Sequence, residues 1–227
     1  MNRSLIQTDI SRVHTARWKK PLAILVFLSI LVGLYFTSLY NYLLFHSLVE
    51  IFSIVIACGI FMTAWNSRRF LSNGYLFFLG IAFLFIGALD LVHTLSYKGM
   101  SVFPGHGADL PTQLWIAARY LQAASLLLAP FLLRRRINAR LVFIGYSLAT
   151  FLLIFSIFTD LFPSCYIEGT GLTGFKRGSE YIISAILLAS VILLFRYRRE
   201  FEPKVLRLII WSIALAIVSE FSFYRLS

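Results

Sequence analysis

The sequence is poor in charge and in cysteine, and both shortages narrow what the protein can be. Only 14% of its 227 residues are charged, whereas a soluble domain has about 25%; 59% are hydrophobic and the mean hydropathy is +0.81. Cys58 falls in an apolar segment and Cys165 in a predicted external loop, so we expect neither a disulfide between them nor a paired-cysteine metal site. These features exclude an ordinary soluble domain.

The motifs of several protein classes are also missing. No Gly-rich phosphate loop or nucleophile–base pair stands out, so there is no positive sign of an enzyme. The net charge of +11 comes without a nucleic-acid recognition module, so we expect no nucleic-acid partner. The last apolar segment has no lysine between Leu206 and Arg225, which excludes a retinal Schiff base. No inverted pair of broken spans is present, which weakens a transporter interpretation.

Long apolar segments are what the sequence has instead. Runs of about 18 or more apolar residues are typical of transmembrane helices, and their continuity argues against the alternating pattern of a membrane barrel. We therefore predict an all-α fold, a polytopic integral membrane bundle of about seven transmembrane helices. The predicted spans cover residues 21–39, 43–65, 75–96, 111–133, 141–159, 180–195 and 205–224.

Basic residues predict how this bundle is oriented. We divide the chain into a polar, basic leader over residues 1–20 and a membrane domain over residues 21–227, and we expect the leader to be retained because no small-residue cleavage site follows it. Sixteen of the 21 Lys and Arg residues lie in the leader, in the loops after the second, fourth and sixth spans, or, in the case of Arg207, at the start of the seventh span. The positive-inside rule then places the N-terminus on the cytoplasmic side of the membrane.

Several spans carry ionisable residues near their outer ends. Such residues cost about 2.5–3.5 kcal/mol each on the insertion scale and often mark a functional interior. At a rise of about 1.5 Å per residue, Glu50, Asp90, Arg119 and Glu220 all fall roughly 6–12 Å below the outer ends of their spans. We predict an outer-leaflet pocket or charge network formed by His46, Glu50, Asp90, His93, Gln113, Trp115, Arg119, Gln122 and Glu220.

The residues leave the role of this layer open. Arg119 beside carboxylates could simply hold helices together, or the surplus of carboxylates could bind a ligand, a proton or a cofactor. His46 with Glu50 could supply two metal ligands, and two histidines could hold a haem, but no HExxH or Cys–His spacing supports a metal. The cofactor is therefore left unknown. Trp115 would also suit an aromatic belt at the membrane interface.

Four stretches of the sequence resemble a known family. They are FLFIGALDLVHTLSYKGMSVFP, PTQLWIAARYLQAASLLLAP, CYIEGTGLTGFKRGSEYIISAILL and SEFSF. Together they resemble the third class of bacterial membrane-associated sensor domains (the MASE family), from about residue 22 to the end of the chain. The most specific parts are the Asp90–His93–Lys98–Gly99–Met100 stretch and the Thr112–Gln113–Trp115–Arg119 stretch.

The resemblance implies an input module for a bacterial signalling protein, of the histidine-kinase or cyclic-di-GMP type. It implies two kinds of partner, the lipid bilayer and a cytoplasmic output domain or partner protein, and it leaves a homodimer open. It also leads us to expect an eighth helix and an output domain, so that a fragment, a truncated product and a subunit all fit the chain. The alternative is a small transporter or a cofactor-binding subunit of a membrane enzyme.

Overall fold

Helices make up most of the protein. The computed structural model describes residues 3–69 and 74–225, with side chains for residues 21–69 and 74–220. The α-helices of this part are α1 (Arg3–Tyr40), α2 (Tyr42–Ser67), α3 (Gly74–Ser96), α4 (Asp109–Leu128), α5 (Ala139–Phe158), α6 (Gly174–Arg196) and α7 (Pro203–Arg225). Between them lie two 3-10 turns, Ala129–Leu132 and Arg198–Glu200, and two short strands, β1 (Tyr166–Ile167) and β2 (Gly171–Leu172).

The helices have the lengths that a membrane protein requires. Within the described residues, six of them are long and apolar enough to cross a bilayer, judged by length and composition: α1 from Pro21, α2, α3, α4 with its 3-10 turn, α5 and α6. The helix α7 occupies the seventh predicted span and is less uniformly apolar, since it carries Lys204, Arg207 and Glu220. The predicted all-helical membrane bundle is confirmed.

The chain divides into two units, Met1–Val49 and Glu50–Ser227. In the first unit the single helix α1 covers most of the predicted leader together with the first predicted span. Asn41 separates α1 from α2, and its side-chain oxygen accepts a hydrogen bond from the backbone N–H of Leu44 at 3.0 Å, as an N-cap residue does. Apolar side chains of α1 such as Leu25 and Phe36 are exposed, which suits a helix surrounded by lipid.

The second unit is built around α3, the most buried of the candidate spans. This helix packs against α4 and α5, while α6 packs against α4 and α7. The core between these helices contains fully buried aromatic and branched side chains from every one of them except α5: Tyr75, Ile81, Ile116, Ile183 and Ile213. The helices that carry the predicted charges therefore belong to one packed core.

Small residues bring α2 and α3 close together within this second unit. A Cβ atom added at Gly80 would lie 2.3 Å from the Cβ of Ala64, and one added at Gly87 would lie 3.1 Å from the Cβ of Ala57. Close backbone approach over small residues is a common way for membrane helices to pack, because it maximises van der Waals contact. The glycines of α3 therefore leave the room that α2 occupies.

The sixth helix begins earlier than the sequence analysis predicted. Residues 160–178 were expected to be a loop with the span starting at Glu180, whereas α6 starts at Gly174 and the strands β1 and β2 form an antiparallel hairpin before it. The physical reason is the N-cap: Thr173 is extended, and its hydroxyl oxygen accepts a hydrogen bond from the backbone N–H of Lys176 at 3.2 Å. Lys176 and Glu180 consequently share one face of a helix.

The fourth helix also differs in its bounds from the predicted span. It begins at Asp109, two residues before Pro111, and its regular part ends at Leu128. Pro130 then lies in the 3-10 turn Ala129–Leu132, because a proline has no N–H to continue the helical hydrogen bonds. Pro130 thus marks a change of helix type at the end of the span.

Candidate functional site

A buried ion pair joins α3 to α4. The Nη2 atom of Arg119 donates to both carboxylate oxygens of Asp90, at 2.7 and 2.9 Å, and its Nη1 atom donates to the side-chain oxygen of Gln122 at 2.5 Å. Arg119 and Gln122 are three residues apart on α4 and therefore share a face, as neighbouring turns of a helix do. The predicted pairing of Arg119 with a carboxylate from another span is present in the structure.

Two further carboxylates lie in the electrostatic surroundings of this pair. Glu220 on α7 and Glu50 on α2 both attract Arg119, and Glu50 is also repelled by Asp90. Glu220 is only 2% exposed, and its Oε2 atom has no hydrogen-bond partner among the described residues. Four helices of the second unit thus bring ionisable groups into one layer, as the sequence predicted.

His93 ties the same two helices together one turn away from Asp90. Its Nδ1 atom lies 2.8 Å from the backbone oxygen of Pro111, in the first turn of α4. A carbonyl oxygen can only accept, so Nδ1 carries the hydrogen of this bond. His93 therefore positions the start of α4 against α3, and its own charge state is coupled to Asp90 and Arg119 by electrostatics.

A second buried ion pair lies on α6, and the sequence analysis did not include it. The Nζ atom of Lys176 donates to Glu180 at 2.5 Å, and both side chains are almost wholly buried. The same ammonium lies 4.0 Å from the ring centre of Trp115, while the guanidinium carbon of Arg119 lies 6.0 Å from that ring. These distances are typical of cation–π contacts, so Trp115 connects the two ion pairs.

Trp115 therefore contacts the cations of both ion pairs. Its ring is half-buried against the hydrophobic core of the second unit and lies between two cations. The cap at Thr173 and the four-residue spacing of Lys176 and Glu180 were the signals that could have revealed the second pair from sequence. Reading residues 160–178 as a loop concealed that spacing.

Gln113 does not join this network in the structure. Its amide nitrogen donates to the backbone oxygens of Phe162 and Pro163, at 3.2 and 3.3 Å. Asp109, at the start of the same helix, accepts hydrogen bonds from the backbone N–H groups of Cys165 and Tyr166 at 2.6 and 2.8 Å. The beginning of α4 therefore anchors the segment that precedes α6.

The anchored segment also holds a buried thiol. Cys165 is fully buried, and burial, together with the negative charge of Asp109, raises the pKa of its thiol to about 12. A thiol with so high a pKa is almost entirely protonated at neutral pH and is a poor nucleophile. Cys165 and Cys58 are both free, and Cys165 serves packing in this segment. His46, the remaining predicted site residue, lies on α2 in the first unit.

The charge layer of the second unit contains more carboxylates than cations. Asp90 is matched by Arg119 and Glu180 by Lys176, which leaves Glu50 and Glu220 without a cation of their own in the layer. A buried layer with more carboxylates than cations favours the uptake of a positive charge, either a proton or a cation.

These features define a helical membrane bundle with a polar interior. A family model identifies the family to which this bundle belongs. Residues 37–226 match the model of the MASE3 family, described as a membrane-associated sensor domain. The chain belongs to this family, as the four stretches of sequence had indicated. A sensor domain is an input module, in agreement with the lack of a catalytic motif in the sequence. Neither a curated protein nor a solved structure matches the chain.

Proposed function

We propose that the chain is the input domain of a bacterial signal-transduction protein and that its charge layer receives the signal. The observation that carries the proposal is the Arg119–Asp90 pair, which is buried, joins two helices and is surrounded by carboxylates from two more. A proton, a redox change or a small ligand in this layer would alter how α3, α4 and α7 attract one another. That change would then reach a cytoplasmic histidine-kinase or cyclic-di-GMP output domain, in the same chain or in a partner protein.

The direction of signalling rests on the orientation of the bundle. Exposed basic side chains follow α2, α4 and α6, whereas Glu50 lies toward the opposite end of α2, the Lys176–Glu180 pair toward the opposite end of α6, and Arg119 midway along α4. By the positive-inside rule the N-terminus lies in the cytoplasm of the bacterial inner membrane and the layer in the outer leaflet. The layer would therefore meet signals from outside the cell or from the lipid itself.

Reporter fusions at Ser227 test this orientation. After seven crossings from a cytoplasmic start, alkaline phosphatase fused at Ser227 should be active, and green fluorescent protein at the same residue should be dark. Adding an eighth apolar span should reverse both results. A bright fluorescent fusion at Ser227 itself would contradict the orientation, and the outer-leaflet position of the layer with it.

Substitutions in the layer test its role in signalling. Asp90→Asn and His93→Ala, in the chain joined to or co-expressed with its output domain, should change kinase or cyclic-di-GMP output while the protein still reaches the membrane. Glu200→Gln is the matched control, because Glu200 is also a carboxylate paired with an arginine but lies in the exposed turn before α7. Output that stays unchanged in Asp90→Asn and His93→Ala, at about pH 6 and about pH 8, would reduce the layer to a structural element.

A further inference from the structure

Glu220 is the most isolated carboxyl group of the charge layer. It lies on α7, which packs against α6, and it is 2% exposed. Its Oε2 atom has no hydrogen-bond partner among the described residues, and none of the described cations lies within ion-pair distance of it. A carboxylate in this position would carry a negative charge on a group that is almost wholly buried and has one oxygen without a hydrogen-bond donor among the described residues.

The charged groups that face Glu220 are already engaged with other partners. Arg119 on α4 gives two hydrogen bonds to Asp90, and Lys176 on α6 is bound to Glu180 at 2.5 Å. Both cations attract Glu220 from a distance, but the negative charge of Glu180 opposes them. Asp90 and Glu180 largely neutralise the positive charges of Arg119 and Lys176. These two cations therefore stabilise a charged Glu220 only weakly.

We propose that Glu220 is a proton-binding site, a neutral carboxylic acid between α6 and α7 that differs from the ionised, arginine-bound Asp90. A proton removes the charge that the surroundings fail to stabilise, and the resulting O–H can donate to a neighbouring oxygen. The inference deepens the proposed function and rests on it for any role in signalling. Within that role, the ligand class of the layer is the proton, and release of the proton creates a negative charge beside Arg119 and Lys176.

Chemical labelling tests this inference on the purified full chain. Dicyclohexylcarbodiimide reacts with protonated carboxyl groups in apolar surroundings, and mass spectrometry of peptides locates the adduct. At about pH 7 we expect an adduct on Glu220 and none on Asp90. The adduct should be lost in Glu220→Gln and kept in Glu200→Gln, and it should decrease in the parent as the pH is raised.

A second measurement makes the result independent of access by the reagent. The parent should show an infrared carbonyl band of a protonated carboxylic acid that Glu220→Gln lacks. Glu220→Gln should also melt at the same temperature as the parent at about pH 7, since a neutral amide replaces a neutral acid of similar shape. The same variant should melt well below the parent if Glu220 is ionised and attracted by Arg119 and Lys176.

The possible outcomes distinguish the proton site at Glu220 from the proposed signalling role of the layer. An adduct on Asp90 in place of Glu220, or a parent that shows neither the adduct nor the infrared band, would overturn the inference. If Glu220 carries the adduct and the band but Asp90→Asn and His93→Ala leave the output unchanged, the proton site stands and the proposed signalling role fails. If the output changes while Glu220 proves to be ionised, the signalling role stands and the proton site fails.

Discussion

Among the described residues, the protein has two arginine–carboxylate pairs, and the surroundings of the two pairs differ greatly. Arg119 and Asp90, between α3 and α4, have side chains that are 21% and 5% exposed. Arg134 and Glu200, which lie after the 3-10 turn that ends α4 and before α7, have side chains that are 79% and 30% exposed. The chemical groups of the two pairs are the same in kind, so the comparison isolates the effect of burial.

Burial turns an optional contact into a necessary one. In water, an arginine and a carboxylate are each well solvated, and their attraction is weak and screened by salt. In an apolar span each charge alone is costly, and the attraction between the two is several times stronger. We infer that the charge layer needs its ion pairs for the fold, whereas the exposed pair before α7 contributes little to stability.

The largest expected effect comes from breaking the buried pair. Arg119→Leu leaves Asp90 without its cation and leaves Glu50 without the attraction of the guanidinium. Removing one member of a buried pair typically costs about 3–5 kcal/mol of stability. The melting temperature of the purified protein in detergent should fall clearly. Melting at the temperature of the parent would show that Arg119 is solvated or reaches the lipid headgroups.

Removing both members of the pair should cost less than removing one. In Arg119→Leu with Asp90→Leu, no uncompensated charge remains from this pair, and replacement of a buried ion pair by apolar residues is often neutral or stabilising. The double variant should therefore melt above the single variant Arg119→Leu. A double variant that melts lower still would mean that the two side chains stabilise the bundle through separate contacts. The comparison of the two pairs would then rest on packing, not on charge.

The sequence was sufficient to predict that Arg119 would pair with a carboxylate from another span, although it left open which carboxylate, for a simple reason. A charge inside a long apolar segment has few alternatives, so helical spacing and depth brought Glu50, Asp90, Arg119 and Glu220 to one level without any tertiary information. The family assignment followed from local stretches around the same residues and was confirmed by the match over residues 37–226. Charges inside apolar segments and the stretches typical of the family could therefore be identified from the sequence alone.

The second buried pair could not be predicted in the same way. Lys176 lies in a stretch of glycine, lysine and arginine whose composition is equally typical of a loop. The residue at which α6 begins depends on the N-cap hydrogen bond to Thr173. The depth of a residue along its helix also does not determine the side of the helix from which its side chain projects. Gln113 and Trp115 are at similar depth, yet one contacts the segment before α6 and the other lies between two cations. Only packing decides that difference.

The smallest effect is expected at the exposed pair. Arg134→Gln removes the hydrogen bond to Glu200, and that hydrogen bond holds the pKa of Glu200 below its ordinary value of 4.5. A carboxyl group with a lowered pKa adds stability above its ordinary pKa and loses that stability as the pH falls through the lowered value. Any contribution of the pair is therefore fully present at neutral pH and absent in strong acid.

Solvent decides how large that contribution is. Because Arg134 and much of Glu200 are in contact with water, both remain solvated when the pair is broken, and salt screens what attraction there is. We expect Arg134→Gln to melt within error of the parent at about pH 7 and, equally, at about pH 3, with Arg119→Leu measured alongside as the sensitive control. A clear fall in melting temperature at neutral pH that disappears in acid would show that the exposed pair also holds the fold, and burial would then not be what separates the two.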